Sequence, residues 1–396
     1  MADHVLTLNA GSSSIKFALF AAAAPWPRLL AEGQVQGLGA EPTFEASIVG
    51  GGSVEGPMIG KNHAASVEQL LEWLKDSFPE IVINAVGHRV VHGGVSYAAP
   101  TIVDDRVLQE LRELEPLAPL HQPHNMAAIE AARAVFPSAP QVACFDTAFH
   151  RGHSFVNEAY GLPRDYYDRG MRRFGFHGLS YEYVALRLRE IEPVLACGRV
   201  IAAHLGNGAS LCAMKDGRSV ASTMGFSALE GLPMGTRCGQ IDPGLLLYLL
   251  DREKLSPEAL GDLLYERSGL KGLSGVSQDM RALEASDSPH ARDAIAYFTH
   301  RIRMEIGALA ATIGGLDALV FTGGIGEHSA RVRAEVVGGM GWLRLTLDLQ
   351  ANARNDMRIS ARDAKIPVFI IGANEEATIA QHAIKTAGLT RIHVAA

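Results

Sequence analysis

Apolar and polar positions divide the chain into short strands and amphipathic helices, and the division is clearest near its start. Val5-Leu6-Thr7-Leu8 and Phe17-Ala18-Leu19-Phe20 are apolar runs on either side of Asn9-Ala10-Gly11-Ser12-Ser13-Ser14-Ile15-Lys16. That layout predicts strand, tight polar turn, strand. Gly11 and the three serines offer backbone N–H and hydroxyl donors without bulk, and Lys16 adds a positive charge, which together suit phosphate oxygens. Read alone, the stretch fits a Ser-rich hairpin turn as well as it fits a phosphate cradle. It is not a Walker A loop, because G-x-x-x-x-G-K-[ST] is absent and the turn leads into a strand.

A loop over 21–27 and weak alternation over 30–59 predict further antiparallel strands. Val67, Leu70, Leu71, Leu74 and Phe78 recur at helical spacing. Residues 81–87 read as a buried strand that delivers Gly87-His88-Arg89-Val90-Val91-His92-Gly93-Gly94. Helices over 104–114 and from Pro123 to about 136 follow, the proline suiting a first turn. A strand over 141–145 then ends at Asp146. In the second half a helix over 180–190 precedes a strand that enters His204-Leu205-Gly206-Asn207-Gly208-Ala209-Ser210. This repeats the opening layout, with Gly206 matching Gly11, and points to a duplicated domain. Asp242-Pro243, Ser256-Pro257 and Ser288-Pro289 each pair an N-cap with a first-turn proline, so each predicts a helix, the third reaching about 313. A strand over 319–321 runs into Thr322-Gly323-Gly324-Ile325-Gly326-Glu327. The last strand is expected over 367–371, before Asn374-Glu375-Glu376 and a closing helix to about 386. Strands alternating with helices define the α/β class.

Composition narrows the choice. A chain of 396 residues exceeds one ordinary core, so two domains are expected. The net charge of -7 argues against a nucleic-acid surface and requires local arginines for any anionic substrate. No run approaches the roughly 20 apolar residues of a membrane span, and no cleaved leader is predicted. Cys144, Cys197, Cys212 and Cys238 are far apart, which disfavours a disulfide framework or zinc site and fits a reducing cytoplasm.

Gly-rich turns at Gly11, Gly206 and Gly323 all follow apolar strands, which favours a nucleotide held in a cleft between two α/β domains. No G-x-G-x-x-G stands in the acidic context of a Rossmann site. Arg89 and Arg237 lie in Gly-flanked loops, where guanidinium forks suit carboxylate and phosphoryl oxygens; ion pairing between loops is the plainer alternative. His177, between aromatic residues and glycine, fits a hydrogen-bonded structural role or a catalytic one. Asp146 directly follows a buried strand and either caps a turn or enters a site. Glu375, with Asn9, could hold a hydrated Mg²⁺, which takes few protein ligands plus phosphate oxygens.

As a set the motifs resemble the acetokinase family of the actin, sugar kinase and Hsp70 ATPase (ASKHA) superfamily, over nearly the whole chain. They are NAGSSSIKF from Asn9, GHRVVHGG from Gly87, CFDTAFH from Cys144, FGFHG from Phe174 and HLGNGAS from His204. MGTRCGQIDPG from Met234, DMR from Asp279, FTGGIGE from Phe321 and NEE from Asn374 complete the set. The resemblance implies reversible, Mg²⁺-dependent phosphoryl transfer from ATP to acetate, giving acetyl phosphate and ADP, with Mn²⁺ able to substitute. It also implies a homodimer and duplicated, ribonuclease H-like domains over 1–149 plus 378–396 and over 150–377. By position, Asn9 and Glu375 match the metal-associated residues, and Arg89 matches the substrate arginine. His177 and Arg237 match the transition-state stabilisers, and Asp146 the residue given acid/base duty. The nucleotide-binding segments match Lys16, Ser12 and Ser14; His204, Leu205, Gly206, Asn207 and Gly208; Asp279, Met280 and Arg281; and Gly324, Ile325, Gly326, Glu327 and His328.

Acetate, with a carboxyl pKa near ~4, is already ionised at neutral pH, so Asp146 is expected to orient an arginine or a metal-bound water instead of acting as a base. Val91, Leu120 and Phe176 match walls of a pocket for the acetate methyl group. Ser227-Ala228 stands where many members have Thr-Pro, and Ala228 leaves room that would admit propionate. Leu179, Tyr181 and His328 also depart from the common pattern. Two readings of other kinds are a sugar or polyol kinase, for which Asp146 would serve as a base, and a non-catalytic ATP-binding module. Arginines beside an apolar pocket suit a small carboxylate better than either.

Overall fold

The opening apolar runs pair as antiparallel strands β1 (His4–Ala10) and β2 (Ser14–Ala21), with Ala10 opposite Ile15 and Asn9 opposite Lys16. The Gly11 N–H closes the turn by donating to the Ser14 carbonyl at 2.8 Å. The computed structural model describes residues 3–11, 14–38, 41–57, 63–119, 121–390 and 392–393. Two expected site residues, Ser12 and Leu120, lie outside these. The chain divides into two compact units, Met1–Phe149 with Asn374–Ala396, and His150–Ala373.

In the first unit the hairpin is followed by β3 (Ala23–Ala24), β4 (Arg28–Gln36), β5 (Thr43–Ile48) and β6 (Ser53–Pro57), then β7 (Ile83–Val90), β8 (Thr101–Ile102) and β9 (Gln141–Phe145). All but β3 join one sheet of order β6-β5-β4-β2-β1-β7-β9-β8. β1 runs parallel to β7, and β7 to β9. Residues on both faces of β1 are buried, which explains an apolar run without strict alternation. One face packs Phe17 and Phe44 against Leu70, Leu71, Trp73 and Leu74 of the helix His63–Ser77. The closing helix Glu375–Thr386 packs on β1, β7 and β9. Its approach is so close that a Cβ on Gly87 would lie 2.6 Å from the Ile379 Cγ2.

The second unit holds β10 (Arg199–Leu205), β11 (Ala209–Lys215), β12 (Arg218–Ser222), β13 (Ala318–Thr322) and β14 (Val368–Ile370). Their order is β12-β11-β10-β13-β14. In each unit a hairpin is flanked by its third strand on one side and by two parallel strands on the other. β12-β11-β10-β13-β14 therefore repeats β4-β2-β1-β7-β9, and the expected duplicated α/β fold is present. The long helix Pro289–Ile313 packs on β10, β11 and β12.

Three local expectations are refined. Asp242 and Ser256 cap their helices by accepting from the N–H groups of Gly244 and Ala259, but the Ser288 side chain makes no cap hydrogen bond. The strand at 368–370 is not the last, because β15 (Ile392–His393) pairs with β3 inside the expected loop. Two residues are too few to leave a periodic signal. Among the described residues no helix is long and apolar enough to cross a membrane.

Gly87→Ala is expected to destabilise the protein by about 1–3 kcal/mol, as overpacking does. This would be read as a lower urea midpoint at unchanged slope; an unchanged midpoint would show that the closing helix yields without cost.

Candidate active site

The parallel register that sets Arg89 beside Cys144 and Val90 beside Phe145 brings the next residue, Asp146, against Arg89. The Asp146 N–H extends the ladder by donating to the Val90 carbonyl at 3.0 Å. Asp146 is 1% exposed and is held by a two-pronged pair: Arg89 Nε donates to Oδ1 at 3.0 Å and Nη2 to Oδ2 at 2.6 Å. From the neighbouring β1, Asn9 Oδ1 accepts from Arg89 Nη1 at 3.2 Å. Glu375, at the start of the closing helix, places Oε2 3.7 Å from Arg89 Nε. Asn9, Arg89, Asp146 and Glu375 thus form one cluster in the first unit.

Burial raises the Glu375 pKa, and Asp146 and Glu376 add to the rise while Arg89 and Lys16 oppose it. Burial alone would weaken the Arg89 proton, but Asp146 and Glu375 outweigh it and hold the guanidinium charged. Among the described residues no group of three or more His, Cys, Asp or Glu is placed to hold a metal. Asn9 and Glu375 offer two oxygen donors. That set does not suit zinc, and it fits Mg²⁺, which keeps waters and takes phosphate oxygens.

Around this cluster, Lys16 is exposed beside a cleft of about 360 Å³ that Glu32, Glu45 and Glu376 also line. Ser14 opens β2. Val91 is buried, and its N–H donates to Asn125 Oδ1 at 3.0 Å. Asn125 also donates to the Ala10 carbonyl at 2.7 Å and so ties the Val91 loop to the end of β1. Sequence reasoning missed Asn125; its signal was a polar residue at an inward position of the helix Gln122–Val135.

In the second unit His177 stands before the helix Gly178–Ile191 in a left-handed conformation, φ 57 and ψ 25. Its Nδ1 lies 2.8 Å from Ser210 Oγ, and its ring stacks on His204 with centroids 4.3 Å apart. Ser210 Oγ also meets the Tyr181 hydroxyl at 2.6 Å, and His204 Nδ1 meets Ser180 Oγ at 2.8 Å. Tyr181, a departure from the common pattern, therefore helps to position His177. Arg237 Nη1 donates to the carbonyl of half-buried Ala228 at 3.0 Å. A Cβ on Gly208 would lie 3.2 Å from His177 Nε2 and 4.0 Å from Arg237 Nη1. Glycine thus leaves open a space that both side chains border. Phe176 is buried beside them in sequence.

A cleft of about 410 Å³ in the same unit is lined by Gly206, Asn207, Asp279, Met280, Arg281, Gly324, Ile325 and His328. All were expected at a nucleotide site. Gly235 admits Asn207 here, since a Cβ would come 1.9 Å from Asn207 Oδ1. Other expected residues do not line this cleft. Leu205 is buried in β10, the buried Gly326 gives its carbonyl to Arg333 Nη1 at 2.9 Å, and Glu327 accepts the Ala373 N–H at 2.9 Å. His204 and Gly208 border His177. Gln278, Glu284 and Ser329 do line it and were missed. Ser329 donates to Glu284 at 2.5 Å and caps the helix Ala330–Gly338, and its cap position was the available signal.

A duplicated sheet of this order is the actin-like ASKHA fold, here in a phosphotransferase with an arginine–carboxylate cluster at its strand ends. The chain belongs to the Acetokinase family, whose pattern it matches over residues 4–381. It is 52% identical over 399 residues to an acetate kinase of Methylocella silvestris, covering 97% of this chain and 98% of that protein. The crystal structure of Porphyromonas gingivalis acetate kinase superimposes with a TM-score of 0.87 at 36% identity, covering 97% of this chain and 100% of that one. A propionate kinase from Francisella tularensis gives a TM-score of 0.91 at 33% identity, covering 97% and 99%.

Two buried histidines, His88 and His150, and the half-buried His153 make the fold sensitive to acid. Burial lowers the pKa of His88 to about 4, of His150 to about 3 and of His153 to about 4. An unfolded histidine titrates near ~6.5, so from there down to about pH 4 the unfolded chain binds more protons and stability falls with pH. Thermal midpoints are expected to drop between pH 7 and 5; a flat profile would show that these rings are not buried neutral.

Proposed function

We propose that this chain transfers the γ-phosphoryl group of ATP to acetate in a single in-line step, reversibly, with Mg²⁺ required and Mn²⁺ able to replace it. The observation that carries the reading is the Arg89 cluster. A guanidinium has five N–H groups, and Asp146 and Asn9 engage three of them. Among the described residues no hydrogen bond engages the other two, which are left for a substrate carboxylate. Val91, Phe176, Ala228 and Leu120 would supply the apolar wall for its methyl group. In the transfer an acetate oxygen bonds to phosphorus as the bridging oxygen departs with its electron pair on ADP. Charge then spreads over the equatorial oxygens, where positioned hydrogen-bond donors act most strongly. His177 and Arg237 fit that duty, since both border the space that Gly208 leaves. Asn9 and Glu375 would hold Mg²⁺, which when bound offsets the charge on the phosphate oxygens. Nucleotide binding is assigned to Lys16, Ser12 and Ser14, and to the segments at His204–Gly208, Asp279–Arg281 and Gly324–His328.

Asp146 orients Arg89 in this reading and takes no proton. Four free cysteines support a reducing cytoplasm. A homodimer is supported by the helix Pro243–Asp251, which has no buried residue although Leu245 to Leu250 are all apolar. A propionate preference is the second reading, favoured by the missing proline ring at Ala228.

Acyl phosphate formation from acetate, propionate and butyrate tests the substrate. The expected kcat/KM falls in that order, and Ala228→Pro widens the acetate preference within the roughly 10–200-fold that one methylene allows. A clear propionate preference in the wild type overturns the acetate reading. Arg89→Ala and Arg237→Ala should each lower kcat/KM by about 100- to 1,000-fold, the scale for losing one charge-stabilising donor. Asp146→Asn should lower kcat by a similar factor at every pH. If an ionisation seen in the wild-type pH–rate profile vanished in that variant, Asp146 would be a base.

A further inference from the structure

The loop that carries Phe176 and His177 is held from behind by a group that the transfer step does not use. His150 is fully buried, and its Nε2 lies 3.0 Å from the Phe176 carbonyl oxygen. Its Nδ1 lies 2.7 Å from Ser219 Oγ on β12, and His153 Nε2 meets the same hydroxyl at 2.7 Å. Cys212 Sγ on β11 lies 3.2 Å from it.

These contacts leave the neutral His150, with Ser219 and His153, one consistent arrangement. A carbonyl can only accept, so His150 carries its proton on Nε2 and donates to Phe176. Its neutral ring then has a bare Nδ1, which accepts the Ser219 hydroxyl proton. Ser219 has one proton and two lone pairs. With the proton given to His150, its oxygen accepts from His153 Nε2–H, and the Cys212 thiol has that oxygen at 3.2 Å and the Ala213 carbonyl at 3.7 Å as acceptors. Burial pushes that thiol pKa up to about 12, so the S–H is retained. The chain of donors therefore has one direction, ending at Phe176. Gly175 completes the fit: it has φ +75, and a Cβ there would come 2.6 Å from His150 Cδ2. The imidazole occupies the space that a side chain at 175 would need.

We propose that His150 is a positioning residue for the transfer reaction. With its tautomer fixed by Ser219 and His153, it sets through the Phe176 carbonyl both the apolar wall at Phe176 and the left-handed residue His177. The proposal rests on the phosphotransferase reading above. Displacement of a reacting group by about 1 Å costs on the order of 100-fold in rate, and that is the scale expected here.

Three variants separate positioning from simple packing. Glutamine places an amide N–H where His150 Nε2 lies, asparagine places one where Nδ1 lies, and leucine places neither. His150→Leu is expected to lower kcat by about 100-fold, to raise KM for acetate and to leave KM for ATP unchanged. His150→Gln should recover most of kcat, and His150→Asn should not. Nitrogen-15 NMR of the wild type should show His150 and His153 protonated on Nε2. A folded His150→Leu enzyme with wild-type kcat, a glutamine variant no better than asparagine, or a proton on His150 Nδ1 each overturns the proposal. Should the leucine variant not fold, the glutamine–asparagine pair and the wild-type spectrum still decide. A wild type that forms no acyl phosphate overturns the transfer reading and the kinetic role with it, whereas an active wild type matched by His150→Leu overturns only the positioning role.

Discussion

A buried carboxylate is tolerable only where its charge is matched, and Asp146 is matched by one side chain. With the Asp146 carboxylate at 1% exposure, removing Arg89 would strand a charge at a cost of about 3–5 kcal/mol, while the intact pair contributes little net stability. What the pair supplies is direction. It pins the guanidinium along the strand ends of β7 and β9, and Asn9 fixes it from β1. Arg89 keeps 17% of its side chain exposed, so its outer edge faces solvent already oriented. That orientation is settled on folding and costs no side-chain entropy on binding.

The two sheets show how one supersecondary unit serves two chemistries. In the first hairpin the pair next to the tip is Asn9 and Lys16, and in the second it is His204 and Ser210. The positions are equivalent, with Ala10–Ile15 and Leu205–Ala209 as the respective tip pairs. One hairpin therefore presents a neutral oxygen donor and an exposed cation. The other presents an imidazole and the hydroxyl that holds His177. The backbone is repeated, and the chemistry diverges within one rung of the ladder.

The legible parts of this fold were those with local causes. Apolar runs and Gly-rich turns marked the strands whose ends carry or adjoin Asn9, Arg89, Asp146, His204 and Thr322, and proline pairs marked helix starts. The positioning residues were hidden because tertiary packing alone explains them. Asn125 sits on a helix but serves two backbone loops. Arg333 falls among ordinary helix residues, yet it is fully buried and bonds Asn352, Asn355 and the Gly326 carbonyl. Ser219 lies in a short strand, and no spacing rule links it to His150 and His153. Each is a polar side chain whose partners lie away from it in sequence, backbone groups for Asn125 and Arg333 and side chains for Ser219, and no periodicity records that.

The donor count at Arg89 carries one more consequence. Among the described residues two N–H groups remain after Asp146 and Asn9 are satisfied, enough for one anionic edge and no second. The free acid and its phosphorylated product would therefore compete for the same fork. Inhibition between them should be competitive, and turnover in either direction would wait on departure of the molecule just made.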